Sequence, residues 1–140
     1  MLKLTDNFVV AEFVPLEIYN QYFDNSIWFF NYKLPIIAQF IRDRYNKKVI
    51  VNDSFYGGKY NYSCFRVPPS KEYKPTSQHA LGNAIDIKGV DPTQLRKDIT
   101  DNYEKIWKPL GVTTIESNTS TWTHIDLRNT NSDKLLIVKG

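Results

Sequence analysis

The stretch SQHALGNAIDIKGVDP, Ser77–Pro92, joins a strand pattern directly to a helix start. In NAIDIKG, Ile85 and Ile87 point to one side of an extended chain. Ala84 and Asp86 point to the other, because side chains alternate along a strand. Asp91 is a good N-cap and Pro92 a good first helical residue. Leu95, Ile99, Tyr103, Ile106 and Trp107 then give the helix a buried stripe, and Pro109 and Gly111 end it.

Outward from this point the pattern remains mixed. The first 45 residues read as mainly helical, with apolar residues crowded in IWFFNYKLPIIAQFI. Pro35 can open a helix there, and Leu34, Ile37, Phe40 and Ile41 share one of its faces. KKVIVND, residues 47–53, reads as a short β-branched strand, and the Gly-, Pro-, Ser- and Tyr-rich segment 54–78 as a long loop of the kind usually kept for function. VTTIE and TWTHIDLR read as a hairpin around SNTS, and KLLIVKG as a final strand or tail. The expected fold is α+β: a small, mostly antiparallel sheet with packed helices, formed by residues 1–140 as a single domain.

Composition narrows the function classes. The chain has 140 residues, an ordinary 41% apolar content and 24% charged residues, so a soluble globular class is expected. A net charge of +3 without a Lys/Arg run argues against nucleic acid, yet allows approach to an anionic surface such as a bacterial cell wall. No window approaches the ~20 apolar residues of a membrane span. Asp6 and Glu12 fall where a signal peptide needs an apolar run, so cytoplasmic synthesis is expected. Cys64 is the only cysteine, which excludes an intrachain disulfide.

The chain holds only two histidines, and each sits near a carboxylate. His79 precedes Asp86 by seven residues, and Gly82 between them can turn the loop back over the strand. Ala84 leaves room beside the carboxylate. Trp122, His124, Asp126 and Arg128 share one face by period two. His79, Asp86 and His124 could therefore meet as the three protein ligands of a catalytic zinc, with a fourth position open to water. The plainer alternatives are a hydrogen-bonded structural histidine and an Asp86 that caps a turn or pairs with Lys88.

SQHALGNAIDI fits the pattern S-x-H-x-x-G-x-A-x-D, and TWTHID fits W-x-H-x-D. Together they resemble the D-Ala-D-Ala carboxypeptidase family of zinc metallopeptidases, which shares its fold group with lysostaphin-type peptidases and the hedgehog signalling domain. SCFR is similar to that family's S-G-[FY]-R motif, with Cys64 where Gly is usual, and NFVVAEF is similar to the opening of phage-encoded members. The resemblance covers about residues 7–128. It implies that His79, Asp86 and His124 are zinc ligands and that Arg66 binds a carboxylate or polarised carbonyl through its planar fork.

The general base is less direct. Where many relatives carry an acid or a histidine shortly before the last histidine, this chain has Thr121 and Trp122. Glu116 and Asp126 are the remaining candidates. If residues 117–121 form the hairpin loop, Glu116 faces Trp122 and shares a sheet face with His124. If 117–120 form it, Glu116 pairs with Thr121 and points away. The resemblance favours Glu116 as the base, with Asp126 holding an imidazole through its other nitrogen or pairing with Arg128. Ser77 and Gln78 are expected to support the His79 loop.

The expected activity is zinc-dependent hydrolysis of peptidoglycan stem peptides, as a D,D-carboxypeptidase or endopeptidase of phage or prophage origin. Such an enzyme would reach the wall after lysis, by holin release or within a virion. The alternatives are a non-catalytic, zinc-stabilised binding or virion structural module, favoured by the missing acid at Thr121, and a bacterial peptidase for free dipeptides. The oligomeric state and any virion assembly partners stay open.

Overall fold

Helices fill the N-terminal third of this computed structural model, which describes all 140 residues, and the sheet is built from the remainder. Helix α1 spans Leu16–Tyr22 and begins behind Pro15. A 3-10 stretch, Phe23–Phe29, follows it. Helix α2 spans Lys33–Tyr45, with Leu34, Ile37 and Ile41 buried and Phe40 half-buried. It opens two residues before Pro35, whose missing N–H costs nothing in a first turn. Asn46, in the left-handed conformation, ends it.

Helix α3 spans Pro92–Asp101, and the Asp91 carboxylate accepts the Thr93 N–H at 3.0 Å as its N-cap. The helix does not continue as expected to Trp107. Past Asn102 the chain widens into one π-type turn, Tyr103–Trp107, whose two end residues are buried while Ile106 stays half-buried.

Four short strands make the sheet: β1 (Ala84–Ile87), β2 (Thr114–Glu116), β3 (Thr123–Asp126) and β4 (Leu136–Val138). Their order is β1-β3-β2-β4; β3 runs antiparallel to both neighbours, and β4 is parallel to β2. The α+β class and the mostly antiparallel sheet are thus as expected. The final strand forms too, although its parallel pairing could not be read from KLLIVKG.

The strand expected over residues 47–53 does not form. The segment makes a single antiparallel bridge, Ile50 to Lys88. Its hydrogen bonds go elsewhere: the Asn52 N–H donates to Glu12 O, and the Asn52 side chain bonds Val14 O and the Ser63 N–H. The same edge of β1 is covered by a second segment, where the Asp86 N–H donates to Ser63 O at 2.7 Å. Val49 and Val51 are still buried, so the apolar pattern was real but served packing rather than a ladder.

One row of residues across the sheet faces the core. Ile85, Ile125 and Ile115 are aligned on β1, β3 and β2 and are almost fully buried. They pack in one cluster with Leu34, Ile37 and Ile41 of α2 and Leu95 and Ile99 of α3.

A polar clasp joins the helices behind this core. The Asp98 carboxylate accepts from Arg44 Nε at 2.7 Å, Arg44 Nη2 at 3.0 Å, Tyr45 Oη at 2.6 Å, Asn102 Nδ2 at 2.8 Å and Trp107 Nε1 at 3.3 Å. Burial would raise the Asp98 carboxyl, but these donors hold it down to about 2, below its ordinary 3.8. A carboxyl depressed on folding stabilises the protein above its unfolded value and loses that effect as pH falls through its folded value. Asp98→Asn should therefore lower the urea midpoint at pH 7. The gap from wild type should narrow between pH 4 and pH 2, where the wild-type carboxyl takes up its proton.

Candidate metal centre

The row adjacent to the isoleucines carries the chemistry. Asp86 on β1 pairs with His124 on β3. The β2–β3 register pairs Thr114 with Asp126 and Ile115 with Ile125, so its continuation sets Glu116 opposite His124. Neither of the two loop lengths weighed from the sequence applies. Glu116 lies two residues further along β3 than a 117–121 loop would place it. A shift of two preserves the face, so Glu116 shares the side of the sheet with His124 and Asp86. Glu116 Oε1 lies 3.8 Å from His124 Nδ1.

His79 reaches the same point from the loop before β1. Ser77 Oγ accepts the His79 N–H at 3.1 Å, and Gln78 O accepts the Asn83 N–H at 2.9 Å. Gly82 has φ +68°, and a Cβ there would lie 2.0 Å from Phe29 O, so only glycine allows this return. His79 Nδ1 donates to Cys64 O at 2.8 Å, which fixes the tautomer and leaves Nε2 free to act as an acceptor. Cys64 itself is fully buried, and burial pushes its thiol far up, so it has no thiolate character.

The three side chains converge. His79 Nε2 is 3.2 Å and His124 Nδ1 3.1 Å from Asp86 Oδ1. All three potential ligand atoms lie within 4.8 Å of one another, and all three residues are buried. Ligand atoms on a tetrahedral zinc with bonds of about 2.0–2.1 Å are separated by roughly 3.3 Å. The buried His–Asp–His group can therefore hold a metal ion with little rearrangement. Each member is also held from behind. Asp86 Oδ2 accepts from Arg66 Nη2 at 3.2 Å, and His124 Nε2 donates to Asp126 Oδ2 at 2.7 Å. Asp126 is in turn gripped by Arg128, through Nε to Oδ1 at 2.9 Å and Nη2 to Oδ2 at 2.6 Å. Ligands oriented through their outer atoms are the common arrangement around bound metals.

The local field is strongly polarised. Burial would raise the Asp86 carboxyl, but the two imidazoles gathered at its Oδ1 hold it well below the usual carboxylate range. Burial lowers His124, yet hydrogen bonds to Asp126 and Asp86 and the charges of Asp86 and Glu116 push it up to about 9. Burial likewise raises Asp126, and the bonds from Arg128 and His124 bring it down to about 2.

The group opens onto a cleft of about 700 Å³. Arg66, Glu116, Trp122 and Arg128 line it, together with Glu72, Lys74 and Lys139, which the sequence did not single out. Tyr56, Tyr60 and Tyr62 of the long loop do not. Arg66 uses Nε on Tyr62 O at 2.7 Å and Nη2 on Asp86, leaving Nη1 without a partner in the protein.

Lys88 was weighed from the sequence as a partner for Asp86. It does not pair with the Asp86 carboxylate. It is buried at the edge of the strand, where Nζ donates to Val51 O, Ser63 Oγ and the backbone O of Asp86 and lies 4.4 Å from the Tyr60 ring centroid. Burial brings its ammonium down to about 8. Alternation puts Lys88 on the same face as Asp86 and Ala84, the one signal that tied it to the site.

No protein-family model, curated protein or solved structure matches the chain. The geometry gives its own test of the His79 turn. Gly82→Ala combines a left-handed alanine with a clash against Phe29 O, and should lower the thermal midpoint by several degrees. An unchanged midpoint would mean that the loop reaches His79 by another path.

Proposed function

We propose that the chain is a zinc-dependent peptidase that hydrolyses peptide bonds in peptidoglycan stem peptides. The observation that carries this reading is the meeting of two imidazole nitrogens and one carboxylate oxygen, with a further carboxylate, Glu116, 3.8 Å from one of those nitrogens at the wall of an open cleft. The motif resemblance supplies the substrate class.

The donor set fits zinc, because two neutral imidazoles and one carboxylate are a common catalytic set and leave a position for water or substrate. His79 Nε2, Asp86 Oδ1 and His124 Nδ1 would hold the ion. When bound, zinc supplies a Lewis acid that makes water nucleophilic at neutral pH. The remaining work falls to the protein. Glu116 accepts the proton released on attack at its carboxylate and passes it to the leaving amine. Arg66 Nη1 orients a substrate carboxylate or carbonyl, while its Nη2 holds Asp86 in place. Asp126, fixed by Arg128, holds the His124 ring so that Nδ1 stays aimed at the site. Trp122 walls the cleft and limits the motion of the peptide.

Purified chain incubated with peptidoglycan should release peptide fragments in a chelator-sensitive manner, with recovery on adding Zn²⁺. His124→Ala should lose stoichiometric metal in elemental analysis. Glu116→Gln should retain metal and the wild-type melting profile yet lose about 10²–10⁴ in rate. Arg66→Lys should keep metal while kcat/KM falls, since a point charge replaces the planar fork. Full turnover by Glu116→Gln would remove Glu116 as the base, and Asp126 cannot replace it, being fully buried behind His124 with both oxygens held by His124 and Arg128. Tight zinc binding without any cleavage would instead favour a non-catalytic, zinc-stabilised module.

A further inference from the structure

Beside the metal cleft lies a second hollow, of about 590 Å³, with only one hydrophobic residue, Leu127, among its 11 lining residues. Its walls come from the start of α2 and from the turn that follows β3. The lining is mostly amide and hydroxyl groups, from Asn31, Thr113, Asn129, Thr130, Asn131 and Ser132, with Lys33 and Arg128 adding positive charge and Asp133 a negative one.

Two observations tie this hollow to the cleft. Arg128 lines both, so the two spaces share a wall. On the far side, Asn31 Nδ2 donates to Asn83 Oδ1 at 3.2 Å and Asn83 Nδ2 to Gln78 Oε1 at 3.4 Å, linking a wall of the hollow to a wall of the cleft. Some of the lining groups already have partners: Asn129 Oδ1 accepts the Asn131 N–H at 3.0 Å, and Thr113 Oγ1 donates to Arg128 O at 2.7 Å. The Asn131 amide and the Lys33 ammonium have none within the protein. Asn131 also sits at φ +52°, a conformation an L-residue adopts at some cost.

A ligand for such a surface must offer many hydrogen-bonding groups and little apolar area, because donors and acceptors left unpaired on binding are costly. Apolar peptide side chains would find no matching surface here, whereas a sugar ring offers hydroxyl groups around its whole edge. We infer that the hollow is a saccharide subsite: it holds the hydroxyl- and acetamido-rich sugar portion of a glycan-linked peptide whose scissile bond lies in the metal cleft. This rests on the proposed peptidase function and refines it, since the substrate is then a sugar-bearing stem peptide rather than a free one.

The test separates the two claims. The probe is the disaccharide of N-acetylglucosamine and N-acetylmuramic acid, titrated into the whole chain and followed by amide chemical shifts. Asn131→Gly removes the amide and retains a backbone that glycine adopts without strain; Lys33→Gln removes the charge from an otherwise unpartnered side chain. Shifts clustered at Asn129–Ser132, with binding at least tenfold weaker in both variants, are expected. In kinetics, both variants should raise KM for the disaccharide-linked stem peptide and leave kcat/KM for the free stem peptide unchanged. Absence of disaccharide binding, or binding that both variants retain, overturns the subsite. So does a long sugar-free peptide that depends equally on Asn131 and Lys33, which would assign the hollow to polypeptide. If the wild type cleaves neither substrate, the peptidase reading fails while the titration still decides the subsite.

Discussion

The Asp86 carboxylate organises this molecule. A buried anion is tolerable only when other groups compensate its charge, and Asp86 finds His79 and His124 at one oxygen and Arg66 at the other. These partners come from separate parts of the chain. Arg66 and the Cys64 carbonyl that holds His79 belong to the long loop, His79 to the turn before β1, and His124 to β3. Satisfying one side chain therefore brings three segments together. Lys88 secures the edge of the same strand through the Asp86 backbone carbonyl. A divalent cation among these groups would add to an arrangement the protein already holds together with hydrogen bonds.

The helices make that arrangement rigid. Asp98 ties α3 to the end of α2 and to the π-type turn, so the core pressing on the inner row of isoleucines is clamped at its far side. The outer face of the sheet can then present polar and charged groups without the strands drifting. The order of events is physical: apolar packing sets the strand positions, the strand positions set the carboxylates and imidazoles, and these set the field in the cleft.

Much of this was legible in the sequence, for identifiable reasons. Period-two alternation placed Ile85 and Ile87 inward and Asp86 outward, and His124, Asp126 and Arg128 on one face. The Asp91–Pro92 pair announced α3. The positive φ of Gly82 was anticipated from its place between His79 and Asp86. What escaped depended on distant contacts. Residues 47–53 look like a strand because Val49 and Val51 are buried, yet Asn52 and Ser63 redirect the hydrogen bonds. The side of β2 that Glu116 occupies turned on a hairpin register that loop chemistry alone left ambiguous; the pairing of Ile115 with Ile125 decides it. The hollow lined by Asn131 and Lys33 joins residues nearly 100 positions apart, so no local pattern could disclose it.

The alternation of rows across β1, β3 and β2 has a further consequence. A slip of one residue between β2 and β3 would turn Ile115 out to solvent and carry Glu116 into the apolar core in the same movement. Misregistered chains would thus expose sticky surface and bury an unpaired charge, which makes them poor competitors during folding and ready targets for proteolysis. The row of isoleucines acts as a proofreader for the row beside it: a chain that passes the packing test has, by the parity of the strand, already assembled its polar site.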